Sequence, residues 1–260
     1  MKVSFIGCGK MGSAMAIAVA KTGLHEVYCH DLDYAKSKAL EKFGAISHDS
    51  PKSAIKNSEI VFFCVKPQAL EGTISGLKNS LEGKIVASIA AGKTIASIQR
   101  ALGKGKIVRV MPNINALASQ AASAYACENL SAKEKAMVRE LLLCFGTASE
   151  FSEKKFDAIT ALSGSGPAFA AYFIDSLAFA GAQQGLSDKD ALELAVQTCL
   201  GTSMMLKNGR SAKEISEMVS SPNGTTIAGR KILESGEFRA IISKTIAAAK
   251  KRSEELGEEK

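Results

Sequence analysis

The chain has 260 residues, 46% of them apolar and 23% charged, enough for one large domain or two modest ones with cores of their own. Its longest unbroken apolar runs, residues 14–20 and 168–174, are too short to cross a bilayer, and a lone Lys2 before a glycine-broken strand gives no signal-peptide pattern. The net charge of +7 is dispersed, with no aromatic interleaving and no tryptophan, so nucleic-acid binding is not expected and the basic field suits small anions.

In chain order, residues 2–7 (KVSFIG) form an apolar strand that ends in glycine, followed by a small-residue helix over 11–22. Residues 26–31 predict a second strand and 33–43 a helix. The run EIVFFCV at 59–65 is almost continuously apolar, as a strand buried on both faces should be. A helix over 67–79, a strand over 84–89, a further helix and a strand over 106–111 complete an alternation that predicts a doubly wound parallel sheet of Rossmann type. From about residue 154 strand signals stop, and helical spacing runs through 167–184, 188–207, 211–219 and 238–256. The expected organisation is therefore an α/β domain over 1–153 and an all-helical C-terminal domain over 154–260. The cysteines at 8, 29, 64, 127, 144 and 199 have no CxxC pairing and read as reduced thiols, which points to the cytoplasm. No metal site is expected. Lys250, Lys251 and Arg252 are answered by Glu254, Glu255, Glu258 and Glu259, a solvated terminal helix.

The stretch IGCGKMGSA lies between the first strand and the first helix. Gly7 permits the tight turn, Gly9 lets a pyrophosphate approach the backbone, and Gly12 lets helix and strand pack closely. Cys8, Lys10 and Met11 fill the loop around them, and the helix N-terminus favours phosphate. Asp31, 19 residues past Gly12 at the end of the second strand, completes a dinucleotide-binding pattern. Val65, Lys66 and Pro67 and the turn with Ala91 and Gly92 both lie at carboxyl ends of predicted parallel strands, where such sheets bind ligands.

Two further loops interrupt the helical half: ALSGSGPAF and SSPNGTTIAG. Ser163 or Ser165 is placed to cap a helix with Pro167 in its first turn, and Thr225 or Thr226 to cap a helix from Ile227. Capping accounts for one serine and one threonine but not for the density of small residues, which lets a carboxylate reach backbone amides.

With these two loops in hand, the chain resembles the pyrroline-5-carboxylate reductases, enzymes of the last step of proline synthesis. The matching stretches are FIGCGKMGSA, VKP, SIAAG, RVMPN, DAITALSGSGPAF, SSPNGTTIAG and LESGEFRA, in family order from residue 5 to residue 240. The resemblance implies a Rossmann domain followed by a helical dimerisation domain, and a homodimer or larger homo-oligomer. It implies reduction of pyrroline-5-carboxylate to proline by NADPH or NADH. Asn113 would join the cofactor residues, and Ser163, Gly164, Ser221, Gly224, Thr225 and Thr226 would bind substrate. The amides of Thr225 and Thr226 would hold the substrate carboxylate, and the Thr226 hydroxyl would face the ring nitrogen as the catalytic contact.

Four departures stand out. The family's usual MPNTPA is MPNINA at 111–116, with Ile114 and Asn115 in place of threonine and proline. Asn223 replaces the first glycine of the loop's pair; asparagine tolerates the left-handed backbone. Asp31 stands where relatives commonly carry serine, and Pro51 where some carry a nucleotide-contacting asparagine. The last two leave the choice between NADPH and NADH open.

Imine reduction asks little of acid–base groups, because the substrate nitrogen can arrive protonated and the cofactor supplies the hydride. His25, His30 and His48 all lie in the first 50 residues, away from the substrate loops. A β-hydroxyacid dehydrogenase is the alternative enzyme, but its lysine on the helix after a glycine-rich turn is missing from GPAFAAYFIDSLAF. A non-catalytic nicotinamide-nucleotide sensor is the other alternative, and it would not need a polar substrate loop.

Overall fold

The computed structural model describes residues 1–258. Strands β1 (Lys2–Ile6), β2 (Glu26–His30), β3 (Ile46–Ser47), β4 (Ile60–Phe63), β5 (Ile85–Ser88), β6 (Lys106–Met111), β7 (Ala121–Glu128) and β8 (Gly146–Glu150) form one sheet in the order β3-β2-β1-β4-β5-β6-β7-β8. All neighbours are parallel except β6 and β7, so β7 and β8 run against the rest. Helices α1 (Lys10–Lys21), α2 (Tyr34–Lys38), α3 (Pro51–Ile55), α4 (Pro67–Leu77), α5 (Ile95–Leu102) and α6 (Ala132–Leu143) join the strands. After β8 come α7 (Phe156–Ile159), α8 (Gly166–Gln183), α9 (Asp188–Lys207), α10 (Ala212–Met218), α11 (Thr225–Ser235) and α12 (Phe238–Glu258). Among the described residues no strand follows residue 150, as the sequence predicts, and no helix is long and apolar enough to cross a membrane.

The period-2 side-chain alternation of the strands divides their residues between two cores. Val3, Phe5, Ile60, Phe62 and Val108 pack on α1 and α6, and Ile6, Val61, Phe63, Val86 and Ile107 on α3, α4 and α5. Every residue of β4 is fully buried, and Phe5 stacks on Phe62 at 5.1 Å. This is the physical basis of the uninterrupted apolar run at 59–65.

The chain forms two compact units that do not follow the 153/154 division expected from the strand pattern. The first comprises Met1–Ser165 together with Ala248–Lys260, and the second Gly166–Ala247. In the second, α8 packs on α9 through Ala178, Ala191 and Ala195, and few other apolar side chains are buried. The expected helix over 33–43 is also shorter than the pattern implies. It stops at Lys38, Leu40 turns into the core, and Gly44 with φ 93° closes the segment.

The junction of β8 and α7 is fixed by a buried cation. Arg109 on β6 is 5% exposed, stacks over the Phe156 ring at 4.5 Å and pairs with Glu153 at 2.9 Å. The same Glu153 oxygen accepts the Ile95 amide at 2.8 Å, one of the free donors at the start of α5. Glu153→Ala leaves the guanidinium buried without its carboxylate. The expected loss is about 3 kcal/mol, the low end for a broken buried pair because 31% of the Glu153 side chain remains in water. Thermal melting should register a fall of ~6–10 °C, and Glu153→Gln, which keeps an acceptor for Ile95, a smaller one. An unchanged melting temperature in both variants would show that the pair contributes nothing.

Candidate functional site

The glycine loop sits where the strand order reverses, between β1 and β4. Gly7 has φ +99° and donates its amide to the His30 carbonyl at 2.8 Å; a Cβ there would lie 2.7 Å from the Cys64 carbonyl oxygen. A Cβ at Gly12 would lie 2.1 Å from the Gly7 carbonyl oxygen, so α1 approaches the loop as closely as backbone allows. Gly9 is different, with nothing within 4 Å of the space a side chain would fill. It is the N-cap of α1 and offers no side-chain cap, which leaves first-turn amides at Lys10 and Met11 for an external acceptor.

A cleft of about 400 Å³ opens beside this loop, and Gly7, Gly9, Asp31, Val65 and Lys66 line it together with Pro51. Lys66 is the N-cap of α4 and Pro67 its first residue, so VKP both ends the strand and starts the helix. Cys8 is only 3% exposed; its amide, not its thiol, serves the site. Cys29 is held strongly towards the thiol form by its hydrogen bond with Cys8 and by burial, and burial pushes the Cys64 thiol up as well. These groups pack as apolar residues.

Asp31 is more occupied than its position in the sequence implies. One carboxylate oxygen accepts the Cys8 amide at 2.6 Å, and the other accepts the Asp33 amide at 2.9 Å. Its neighbour Lys36 pairs with Asp33 at 3.4 Å, and His30 Nδ1 lies 3.1 Å from the His48 carbonyl oxygen. Leu32 is fully exposed at the mouth of the cleft.

At the ends of β5 and β6 a second group forms. Ala91 is exposed, and Gly92 takes φ +73°. Asn113 is 7% exposed; its side-chain amide donates to the Ser163 carbonyl at 3.1 Å, and its oxygen accepts the Ala122 amide at 3.4 Å. Ser163 Oγ donates to the Ala122 carbonyl at 2.9 Å, and Gly164 lies against Met111. Asn113 and Ser163 are thus brought together, 50 residues apart in sequence. The expectation that Ser163 or Ser165 caps a helix fails here. The backbone winds on from α7 through a wide turn over Thr160–Gly164, where the Ser165 amide reaches the Thr160 carbonyl at 2.9 Å, and Ser165, directly before α8, already has helical φ −86° and ψ −21° in place of the extended backbone of a cap. Ile114 and Asn115 enter a short 3-10 turn whose Ala116 is buried in the core beside α1.

In the second unit the loop before α11 is tightly wound. The Gly224 amide donates to the Ser221 carbonyl at 2.9 Å, Ser221 Oγ fills the space where a Gly224 side chain would stand, and Asn223 has φ 60°. The asparagine thus adopts the left-handed angle its sequence position requires. Helix α11 begins at Thr225, two residues before the expected start, with Gly224 as its N-cap and no side-chain cap. Thr225 and Thr226 therefore do not cap the helix but form its first turn, where their amides lack i−4 partners. Arg230 ties α11 to α10 by donating to Ser216 Oγ at 2.9 Å, a contact that sequence periodicity does not reveal.

A family model for pyrroline-5-carboxylate reductase dimerisation matches residues 153–256, and one for NADP oxidoreductase, coenzyme F420-dependent, matches residues 2–92. The chain is 39% identical over 264 residues to a pyrroline-5-carboxylate reductase of Methanosarcina acetivorans, covering 98% of both proteins. It is 38% identical over 264 residues to one from Arabidopsis thaliana, covering 99% of this chain and 96% of the relative. Among solved structures, a pyrroline-5-carboxylate reductase from Coxiella burnetii superposes with a TM-score of 0.93 at 30% identity, over 98% of this chain and 97% of that one. A pyrroline carboxylate reductase from Plasmodium falciparum with NADP bound has a TM-score of 0.87 at 28% identity, over 99% of this chain and 98% of that one.

The contrast between Gly9 and Gly12 yields a paired prediction. Gly9→Ala puts a methyl group into open space at a compatible φ of −69°, so the melting temperature should not change. The same methyl stands where a pyrophosphate must approach, and the NADPH Kd measured by calorimetry should rise at least about tenfold. Gly12→Ala must push α1 off the loop and should lower both stability and affinity. If Gly9→Ala binds NADPH as wild type does, the loop is not the phosphate cradle.

Proposed function

The chain belongs to the pyrroline-5-carboxylate reductase family, and from that premise we propose that it reduces 1-pyrroline-5-carboxylate to proline with NADPH or NADH. The observation that carries this reading is the Gly224-capped start of α11, where an uncapped first turn bears two threonines. First-turn amides and a positive helix end suit a carboxylate, and a hydroxyl beside them suits the nitrogen of a small cyclic imine.

The residues present fit a dinucleotide. Gly9 leaves the approach to α1 open, and Lys10 and Met11 supply first-turn amides. Val65, Lys66, Pro67, Ala91, Gly92 and Asn113 stand at the ends of β4, β5 and β6, on the side where parallel sheets take ligands. When bound, the reduced nicotinamide supplies the hydride. The chain's own contribution is to hold the substrate: the Thr225 and Thr226 amides on its carboxylate, the Thr226 hydroxyl on its ring nitrogen, and Ser221 and Gly224 as small walls, with Ser163 and Gly164 of the first unit as substrate contacts that the family pattern implies. Such fixing of two reactants converts a bimolecular encounter into an oriented one. Helix α8 carries no lysine, so the base that alcohol oxidation requires is missing from that helix.

Assembly is part of the proposal. In the second unit Tyr172, Leu177, Phe179, Leu194 and Leu200 are 41–76% exposed, an apolar surface too large to leave in water. A second copy of this chain covers it, giving a homodimer or a larger homo-oligomer. The setting is cytoplasmic, in keeping with six free cysteines.

Four outcomes test this reading. Purified protein should oxidise NADPH or NADH in the presence of pyrroline-5-carboxylate; no turnover with that substrate overturns the assignment. Thr226→Val keeps the shape and removes the hydroxyl, and a lost hydrogen bond of about 1–3 kcal/mol predicts a fall of roughly 10- to 100-fold in kcat/KM. Light scattering at micromolar concentration should give at least a dimer, and a fully active monomer would refute the assembly. The fourth outcome concerns Asp31. Its carboxylate faces the cleft as a negative charge, which opposes a 2′-phosphate by about 1–4 kcal/mol at roughly 4 Å. It also clamps the Cys8 amide. Asp31→Ser should therefore raise the KM of both cofactors while shifting the NADPH/NADH ratio of kcat/KM towards NADPH. A ratio unmoved at two salt concentrations would show that Asp31 does not read the ribose.

A further inference from the structure

Gly92 is crowded from an unexpected direction. A Cβ there would lie 2.9 Å from the carbonyl oxygen of Leu256 and 3.4 Å from the amide nitrogen of Gly257, in the last turns of α12. The approach is mutual, since a Cβ at Gly257 would lie 3.6 Å from the Gly92 carbonyl oxygen. The same stretch of helix is anchored one turn earlier. Ser253 is 5% exposed on a helix whose neighbours face solvent, and its Oγ donates to Asp157 Oδ1 at 2.7 Å across 96 residues. Residues Ala248–Lys260 accordingly belong to the first compact unit.

The turn they press on is held on its other sides as well. The Ala90 amide donates to Ser88 Oγ at 3.2 Å, Lys93 pairs with Glu71 of α4 at 2.9 Å, and Thr94 caps α5 by accepting the Ser97 amide. None of these contacts restrains Gly92 itself. The Lys93 amide closes the turn on the Ala90 carbonyl at 3.3 Å across Ala91 and Gly92, and the end of α12 lies against Gly92. Asp157, the anchor for Ser253, follows Phe156, the ring under Arg109, so the helix end is docked beside the buried Arg109–Phe156 stack.

We propose that the last two turns of α12 are a positioning element for the turn after β5, holding Ala91 and Gly92 in place for the cofactor through the contacts of Ser253 with Asp157 and of Leu256 with Gly92. The glycine at 92 is then required by its left-handed backbone, φ +73°, and by the helix end, and only indirectly by the cofactor. This rests on the reading that the turn faces a nicotinamide nucleotide. Ser253 and Leu256 act through Gly92 and touch no reacting atom.

A double-mutant cycle tests the assignment. Gly92→Ala is made in the full chain and in a chain that ends at Glu255, which lacks the Leu256 carbonyl but keeps Ser253. NADPH Kd is measured by calorimetry alongside kcat, KM, melting temperature and light scattering. In the full chain, Gly92→Ala should weaken NADPH binding about tenfold or more. In the shortened chain its added penalty should shrink to about threefold, the residue of left-handed backbone strain, because the clash has gone. Ser253→Val, which leaves every backbone contact in place, should raise the KM for the nucleotide several-fold with kcat and assembly unchanged. Equal Gly92→Ala penalties in both chains would mean that the glycine serves the cofactor directly, and the proposal falls. It falls as well if the shortened chain and Ser253→Val bind NADPH as wild type does, even with lowered melting temperatures, since the helix end is then structural only. A full chain that binds neither NADPH nor NADH would instead sink the underlying functional reading.

Discussion

The carbonyl oxygen of Gly7 lies where a side chain at residue 12 would begin, 2.1 Å from its first atom. This close approach sets the position of α1 against the ends of β1 and β4, and most of the site follows from it. With the helix so near, the Gly9 cap stands open to an anion. His30 is drawn to the Gly7 amide, and Asp31 comes within 2.6 Å of the Cys8 amide. A larger residue at 12 would not merely add volume. It would move the amides that the loop exists to present, and it would separate two strands whose residues are nearly all fully buried.

Polar groups buried in the same unit divide the work between two clusters. In one, Arg109, Glu153 and Phe156 fix how α7 leaves β8. In the other, Asn113 and Ser163 bind the end of β6 to the turn that follows α7. Both draw on backbone as much as on side chains: Ile95 gives its amide to Glu153, and Ala122 uses both its amide and its carbonyl on the Asn113–Ser163 pair. A buried charge and a buried amide each cost several kcal/mol if left alone, so these links tie elements distant in sequence into a single arrangement.

Much of this was legible in the order of residues. The continuous apolar run at 59–65, the glycine spacing and the loss of strand signals after 150 each have one physical interpretation, and the sheet and the helical half follow from them. The segment from 112 to 153 was not readable in the same way. Strand β7 (AASAYACE) is built largely of alanine, which carries little β preference, and β8 is short and half polar. What fixes both is the antiparallel return from β6, a tertiary fact with no local signature. The serines of ALSGSGPAF misled for a related reason. Serines just ahead of Pro167 signal a helix start, yet here the chain is already helical and the hydroxyl of Ser163 is spent on Ala122. The threonines of the second loop were displaced by only two residues, but that shift changes their role from caps to donors of free amides.

The departures from the family pattern can be weighed by the same physics. Asn223 costs little, because its φ of 60° is the left-handed angle that asparagine adopts more readily than other non-glycine residues. Ile114 and Asn115 fall in a turn held by the buried Ala116, so their backbone is fixed whatever their side chains do. Asp31 is the departure with consequences. A serine at that position would be a weaker acceptor for the Cys8 amide, and the loop would lose an ionic contact before any ligand arrived. On the proposed reading the carboxylate would do two things at once: hold the Cys8 amide, and with it the glycine loop, in place for any dinucleotide, and set a negative charge against a ribose 2′-phosphate, which disfavours only the phosphorylated one. A gain common to both cofactors offset by a penalty on one is how a site can keep both substrates while leaning towards the less charged.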